Sequence, residues 1–139
     1  MTENVIQKLK YESAEVFAGY PVLFVYAYGS CATGTAHPFS DLDVGVYIEP
    51  KAVERALDIE LDIALALDKF LGHRIETDVR CLNILPLNFV GQILTEGILL
   101  YSRDENSRIN FEVRMRKKYF DFAPVIQNFH RGYITAALR

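Results

Sequence analysis

The distribution of apolar and polar residues along the chain predicts an alternation of helices and strands. Residues 22–28 (VLFVYAY) and 42–48 (LDVGVYI) are rich in β-branched and aromatic side chains and are bounded by turn residues, as strands are. Residues 74–85 alternate between two faces, which predicts a third strand. One face of this strand carries Ile75, Thr77, Val79 and Cys81, and the other carries Glu76, Asp78 and Arg80. Residues 98–102 are expected to form a short strand or extended segment.

A 3.6-residue periodicity predicts helices over 4–17, 51–71, 88–96, 103–119 and 124 to the end. The strongest pattern is that of 51–71, in which charged residues form one stripe and apolar residues a broad opposite face. The apolar face comprises Val53, Leu57, Leu61, Ala64, Leu67 and Leu71. Gly72 follows as the expected C-terminal cap, and Pro124 is expected to separate the last two helices.

The order of these elements predicts a mixed α/β fold. We expect a small mixed β-sheet with helices packed mainly on one side and extra helices at the C-terminus. A chain of 139 residues has the size of one domain, and we assign residues 1–139 to a single domain.

Composition and charge narrow the classes of function. Apolar residues make up 50% of the chain and charged residues 24%, which is typical of a globular protein. The formal net charge of −3 argues against bulk binding to nucleic acid, although not against a single phosphorylated small molecule. No apolar run suits a membrane span or a signal peptide, so we expect a cytoplasmic protein without a membrane partner. Cys31 and Cys81 lack metal-ligand spacing and are expected to be free thiols.

The stretch GSCATGTAHPFSDLDVGV, residues 29–46, holds the candidate chemistry. Asp41 and Asp43 project to one face, about 7 Å apart along the backbone, where two ionised carboxylates repel each other. A shared Mg²⁺ would relieve this repulsion, because it binds carboxylate oxygens and leaves other positions to water and substrate phosphates. Asp78 on the predicted third strand offers a third carboxylate, and Glu76 on the same face competes for that role.

The loop before the two aspartates has the composition of a phosphate-binding turn. Gly29 lets the backbone turn freely, Ser30 can donate its hydroxyl and its main-chain N–H, and a short helical turn after Ser30 would add further N–H donors. Gly34 adds a second point of flexibility. A phosphate cradle and a carboxylate cluster in one loop–strand unit are the parts that phosphoryl-group transfer requires.

The same stretch resembles the signature of the DNA-polymerase-β nucleotidyltransferase superfamily, in which a GS pair is followed ten residues later by DxD. The short chain and its segment LLYSRDENSRINFEVRMRKKYFDFAPV resemble the minimal nucleotidyltransferases, specifically MntA-type antitoxins paired with HEPN-domain HepT toxins. The resemblance implies a polymerase-β-like fold and transfer of AMP from ATP onto a hydroxyl, which in the antitoxin branch is a tyrosine of the partner toxin.

The resemblance also assigns roles residue by residue. Gly29 and Ser30 would bind the nucleotide through its triphosphate, and Asp41 and Asp43 would bind Mg²⁺, with two ions implied. Asp78 would ligate a metal and help to deprotonate the acceptor hydroxyl.

Two other functions remain open. One is nucleotidyl transfer to a small hydroxyl compound, as in aminoglycoside-modifying relatives, although no extra substrate domain is evident. The other is a non-catalytic antitoxin that binds and covers its toxin. The clustered acids argue against this reading, because an inactive site has no physical reason to keep them.

Each of the remaining polar and aromatic side chains can be interpreted either as a structural or surface residue or as a functional one. Cys31 is expected to be a small filler rather than a thiolate, and His37 a surface residue rather than a substrate contact. Asp58 and Asp62 are expected to be solvated. The basic run Arg114, Arg116, Lys117 and Lys118 is either a solvated face or a binding surface. The aromatic residues Tyr119, Phe120, Phe122, Phe129 and Tyr133 either pack the last helices or form a partner patch.

Overall fold

The computed structural model describes the backbone of residues 2–33 and 41–138 and the side chains of residues 5–33 and 41–121. The expectations for Gly34 and His37 therefore lie outside the described residues, as do those for the side chains of Phe122, Phe129 and Tyr133. In chain order the elements are α1 (Thr2–Glu12), α2 (Ala14–Phe17), β1 (Val22–Tyr28), α3 (Ser30–Thr33), β2 (Leu42–Ile48), α4 (Ala56–Phe70), β3 (Thr77–Cys81), α5 (Leu87–Glu96), β4 (Ile98–Ser102) and α6 (Glu105–Leu138). Short 3₁₀ turns cover Pro50–Arg55 and Leu82–Ile84.

Most predicted elements are confirmed, and the differences lie at helix and strand ends. Both β1 and β2 have the expected bounds, whereas β3 is shorter than predicted and passes into a 3₁₀ turn. The first helix divides at Ser13, whose buried hydroxyl donates to the carbonyl of Leu9. The prediction of two C-terminal helices was wrong, because α6 continues through Pro124. A proline inside a helix removes one main-chain hydrogen bond, and a long helix can continue despite this loss.

The four strands form a mixed sheet in the order β3-β2-β1-β4. Strand β1 is antiparallel to both β2 and β4, and β2 is parallel to β3. A parallel pair needs a crossover connection, which α4 supplies between β2 and β3. The predicted mixed α/β class is confirmed.

Two apolar cores lie on opposite faces of this sheet. The larger core joins one face to α1, α2 and α4, and the smaller joins the other face to α5 and α6. Six of the seven side chains of β1 are buried, so this central strand needs cover on both faces. Helices therefore cover both faces of the sheet, α1, α2 and α4 on one and α5 and α6 on the other, whereas the sequence predicted helices mainly on one side.

The buried face of α4 differs from the predicted one. Leu57 and Leu61 were expected in the core but are 75% and 60% exposed. Leu65, which was not on the predicted face, is also exposed at 61%. The residues that α4 buries are Ala56, Ile59, Ile63 and Leu67. The preceding segment is a 3₁₀ turn with three residues per turn, so one α-helical period does not extend over 51–71.

The orientation of α4 also protects the outer edge of the sheet. Strand β3 is an edge strand, and two of its amides face away from β2. Glu60 accepts a hydrogen bond from the amide of Cys81 at 2.7 Å, and Asp68 accepts one from the amide of Thr77 at 3.1 Å. Satisfying these donors with acidic side chains blocks further strand pairing at this edge. Gly72, with a φ of +68°, follows the end of α4 as predicted.

Among the residues that the structure describes, no helix combines the length and the apolar character needed to cross a membrane.

Candidate active site

The turn after β1 is built around Gly29. This residue has a φ of +75°, a left-handed conformation that favours glycine. The amides of Ala32 and Thr33 both donate to the Gly29 carbonyl at 3.1 Å, which closes the short helix α3 onto the turn and confirms the helical turn expected after Ser30. A Cβ placed on Gly29 would overlap Oδ2 of Asp43. Glycine is therefore required here by both the backbone conformation and the space beside Asp43.

The parallel register of β2 and β3 brings two of the predicted acids together. Asp43 is the register partner of Asp78, and side chains at paired positions of parallel strands point to the same face. Asp41 lies just before β2, two residues ahead of Asp43. Glu76 precedes β3 and is exposed. Its main-chain carbonyl accepts a hydrogen bond from the Leu42 amide at 2.8 Å. Between the two candidates for the third acid, Asp78 is the one paired with Asp43.

The electrostatics of Asp43 reflect this arrangement. Burial raises the pKa of the Asp43 carboxyl, and the charges of Asp78 and Asp41 raise it further, while Arg80 opposes the rise. A carboxylate that is partly buried beside like charges is destabilised in its ionised form. The site thus holds a concentrated negative field that a cation would relieve.

The donor set fits a hard cation in its chemistry but is not arranged as a closed ligand shell. Asp41, Asp43 and Asp78 offer the oxygen ligands that Mg²⁺ prefers. Among the described side chains, those of residues 5–33 and 41–121, however, no three His, Cys, Asp or Glu residues converge closely enough to hold a metal ion. Asp78 is instead paired with Arg80 at 3.4 Å. Metal binding here would require these side chains to reorient.

Arg80 is a site residue that sequence reasoning did not single out. It donates to Oδ2 of Asp78, and its guanidinium lies 5.9 Å from the ring centroid of Phe89 on α5. The alternation of β3 contained the signal, because it places Arg80 two residues from Asp78 on the same face. The described side chains therefore include a cation directly beside the third acid.

Tyr28 is a second residue missed from the sequence. It ends β1 and is the antiparallel register partner of Asp43. Burial raises the pKa of the Tyr28 phenol to about 12, with further contributions from the charges of Asp43 and Asp78. Its hydroxyl is buried and has no hydrogen-bond partner among the described residues. Its position as the last strand residue before Gly29 was the available signal.

A cavity of about 180 Å³ opens beside these residues, between the end of β1 and α5. It is lined by Tyr28, Gly29, Asp43, Phe89, Gln92, Ile93 and Glu96. The Gly29 turn and Asp43 therefore line an open cavity together with the aromatic and aliphatic side chains of Tyr28, Phe89 and Ile93.

Other candidate residues have the plainer roles that were expected. Cys31 is buried, and its Sγ donates to the Asp41 carbonyl at 3.3 Å. Burial and the charges of Asp43 and Asp41 raise the pKa of the Cys31 thiol, which favours the neutral filler over a thiolate. Cys81 is likewise a free, buried thiol. Asp58 and Asp62 are exposed on α4.

The basic run on α6 is exposed, and one of its members has a structural contact. Arg116 donates to the carbonyl of Leu94 near the end of α5 at 3.0 Å. One turn along, the ring of Tyr119 packs directly over Gly91, leaving no room for a Cβ there. Phe120 is 64% exposed. Of the described aromatic side chains on this segment, Tyr119 therefore packs against the fold and Phe120 does not.

The mixed sheet, the glycine turn and the paired strand carboxylates define the class of a nucleotidyltransferase. The family described as polymerase beta, nucleotidyltransferase matches residues 12–106, which include the Gly29 turn, Asp43 and Asp78. The chain belongs to this family. A comparison with curated proteins found no match.

Solved structures with the same fold include toxin–antitoxin complexes. One, with AMP-PNP, is 19% identical with a TM-score of 0.62, and the match covers 100% of both chains. Another is the complex of a tri-AMPylated HEPN toxin with MNT antitoxin from Shewanella oneidensis. The matching chain of this complex is 15% identical with a TM-score of 0.58, and the match again covers 100% of both chains. An MntA–HepT complex is 14% identical with a TM-score of 0.59 over 96% of this chain and 99% of the other. At these identities the similarity establishes the fold.

Proposed function

We propose that this chain is a Mg²⁺-dependent adenylyltransferase that moves AMP from ATP onto a tyrosine of a partner HEPN toxin and so acts as its antitoxin. One observation carries the proposal: the Gly29 turn packs directly against Asp43, which is paired across the sheet with Asp78. A phosphate-binding turn and paired acids in contact are the arrangement that nucleotidyl transfer needs. The complexes with AMP-PNP and with an AMPylated HEPN toxin support ATP as substrate and a toxin as acceptor.

The nucleotide would be bound by the turn at Gly29. The absence of a side chain there lets the main chain approach the phosphate oxygens closely, and Ser30 provides a hydroxyl donor at the next position. Because Gly29 is in contact with Asp43, a triphosphate on this turn would lie directly beside the acids.

Asp41, Asp43 and Asp78 would hold the metal, with two Mg²⁺ ions as the expected number. When bound, Mg²⁺ neutralises the triphosphate charge and stabilises the departing pyrophosphate. Burial and the charges of Asp78 and Asp41 raise the pKa of Asp43, and a bound cation would stabilise its ionised form.

The transfer step forms one bond and breaks one. The acceptor oxygen bonds to the α-phosphorus of ATP, the bond from the α-phosphorus to the oxygen bridging it to the β-phosphorus breaks, and pyrophosphate leaves. The hydroxyl proton passes to the Asp78 carboxylate. Arg80, 3.4 Å from this carboxylate, holds its orientation until substrates arrive.

The test uses the full chain, ATP labelled on its α-phosphate, Mg²⁺ and the toxin encoded by the neighbouring gene. We expect label on the toxin, a mass gain of whole AMP units on a tyrosine, and loss of both with Asp41→Asn plus Asp43→Asn. The matched control is Asp58→Asn plus Asp62→Asn, which makes the same charge change on the exposed face of α4.

Two outcomes would replace the proposal with its alternatives. If the Asp41→Asn, Asp43→Asn protein protects cells from the toxin as well as the unmodified protein, inhibition is by coverage and not by catalysis. If label moves only to small hydroxyl compounds, the acceptor is not a protein.

A further inference from the structure

We propose that the cavity between β1 and α5 receives the aromatic ring of the acceptor and so selects phenolic over aliphatic hydroxyls. The inference rests on the proposed transfer reaction and adds a specificity pocket to it. The cavity is lined at one end by Gly29 and Asp43, to which nucleotide and metal are assigned, and it extends from them to α5.

The walls of this cavity suit a planar ring. Tyr28 and Phe89 meet edge to face, with centroids 5.8 Å apart and an interplanar angle of 86°, and Ile93 adds an aliphatic surface. Tyr28 is only 8% exposed and packs in the smaller core, so one wall of the cavity is part of that core. An incoming ring can stack or pack edge to face on this pair, as aromatic side chains prefer.

The position of the cavity distinguishes the acceptor from the nucleobase. An attacking oxygen must come within about 3–3.5 Å of the α-phosphorus, so its ring lies next to the acids. The adenine ring is separated from the α-phosphate by the ribose and lies farther away. A cavity bordered by both Gly29 and Asp43 has the position that the acceptor ring needs.

The outer side of the cavity is polar. Gln92 and Glu96, one turn apart on α5 and both exposed, form a polar rim for the main chain around an acceptor tyrosine.

The first test measures binding without transfer. N-acetyltyrosinamide and N-acetylserinamide are titrated into the protein with AMP-PNP and Mg²⁺, and binding is followed by NMR. We expect the tyrosine compound to bind, the serine compound not to bind, and Phe89→Ala to weaken tyrosine binding about tenfold, the upper range for one aromatic contact. Phe120→Ala, the same change at an exposed site, should leave binding unaltered. Equal affinity for both compounds overturns the proposal.

The second test uses transfer to the toxin. Phe89→Ala should raise the KM for toxin about tenfold while the Kd for ATP stays unchanged. Weakened ATP binding in Phe89→Ala would mean that the cavity holds the adenine, which overturns the proposal. Tyrosine binding without any transfer would instead contradict the proposed reaction and leave the pocket standing. Circular dichroism spectra and the Tm of each variant verify folding.

Discussion

Asp43 and Asp78 occupy paired positions on parallel strands, and the charge of Asp78 adds to burial in raising the pKa of the Asp43 carboxyl. We expect Asp78→Asn to increase the free energy of unfolding in EDTA by up to about 1 kcal/mol, because like charges at paired strand positions repel. The same substitution removes the ion pair between Asp78 and Arg80, but an exposed ion pair contributes little to the free energy of unfolding. Urea denaturation with EDTA and with Mg²⁺ measures both states.

In the same experiment Mg²⁺ should stabilise the unmodified protein more than Asp78→Asn. Asp62→Asn, an exposed acid on α4, is the control for charge alone. Equal stabilisation by Mg²⁺ in all three proteins would show that the Asp43–Asp78 pair does not bind the ion.

Gly29 is expected to tolerate no side chain. Gly29→Ala places a Cβ against Asp43 in a left-handed backbone conformation, which alone costs about 1–2 kcal/mol for a residue other than glycine. We expect a lower Tm and loss of AMP transfer. Gly19→Ala is the matched control, since its Cβ would lie 3.6 Å from the nearest atom, the Val16 carbonyl oxygen. An active Gly29→Ala protein would show that the close approach to Asp43 is not needed.

The buried face of α4 can be tested with two neighbouring residues. Ile63 is fully buried, so Ile63→Ala should lower the free energy of unfolding by about 2–5 kcal/mol. Leu61 is 60% exposed, so Leu61→Ala should change it by about 0.5 kcal/mol or less. Chemical denaturation of both variants measures the difference. A larger loss of stability in Leu61→Ala than in Ile63→Ala would instead support the buried face of α4 that the sequence predicted.

Asp104 gives an acid-dependent contribution at the start of α6. Its carboxylate accepts hydrogen bonds from the Ser107 amide at 3.1 Å and the Ser107 hydroxyl at 2.9 Å, and these bonds hold the pKa of Asp104 below its usual 3.8. A lowered pKa in the folded state means stability that is present above pH 3.8 and is lost as pH falls through the folded value.

Asp104→Asn keeps a side-chain acceptor but removes the titration. We expect its free energy of unfolding to fall less steeply than that of the unmodified protein as pH is lowered below 3.8. Asp121→Asn, an exposed acid farther along α6, is the control. Parallel pH profiles for the unmodified and Asp104→Asn proteins would contradict the assignment.

The sequence by itself determined the local elements and the type of chemistry. Strands β1 and β2 were predicted with their observed bounds, because dense β-branched and aromatic runs between turn residues leave few alternatives. The glycine–serine turn and the aspartates lie close together in the chain, so their proximity did not depend on how distant segments pack.

Only the tertiary structure decided what depends on packing between distant segments. Pairing of Asp43 with Asp78 rather than Glu76 follows from the register of two parallel strands, and a slip of one residue would instead place Thr77 or Val79 beside Asp43. The buried face of α4 depended on where its 3₁₀ turn ends, since apolar rows lie on more than one side of the helix. The cavity beside Tyr28 exists because α5 packs on the second face of the sheet, a contact that no local pattern specifies.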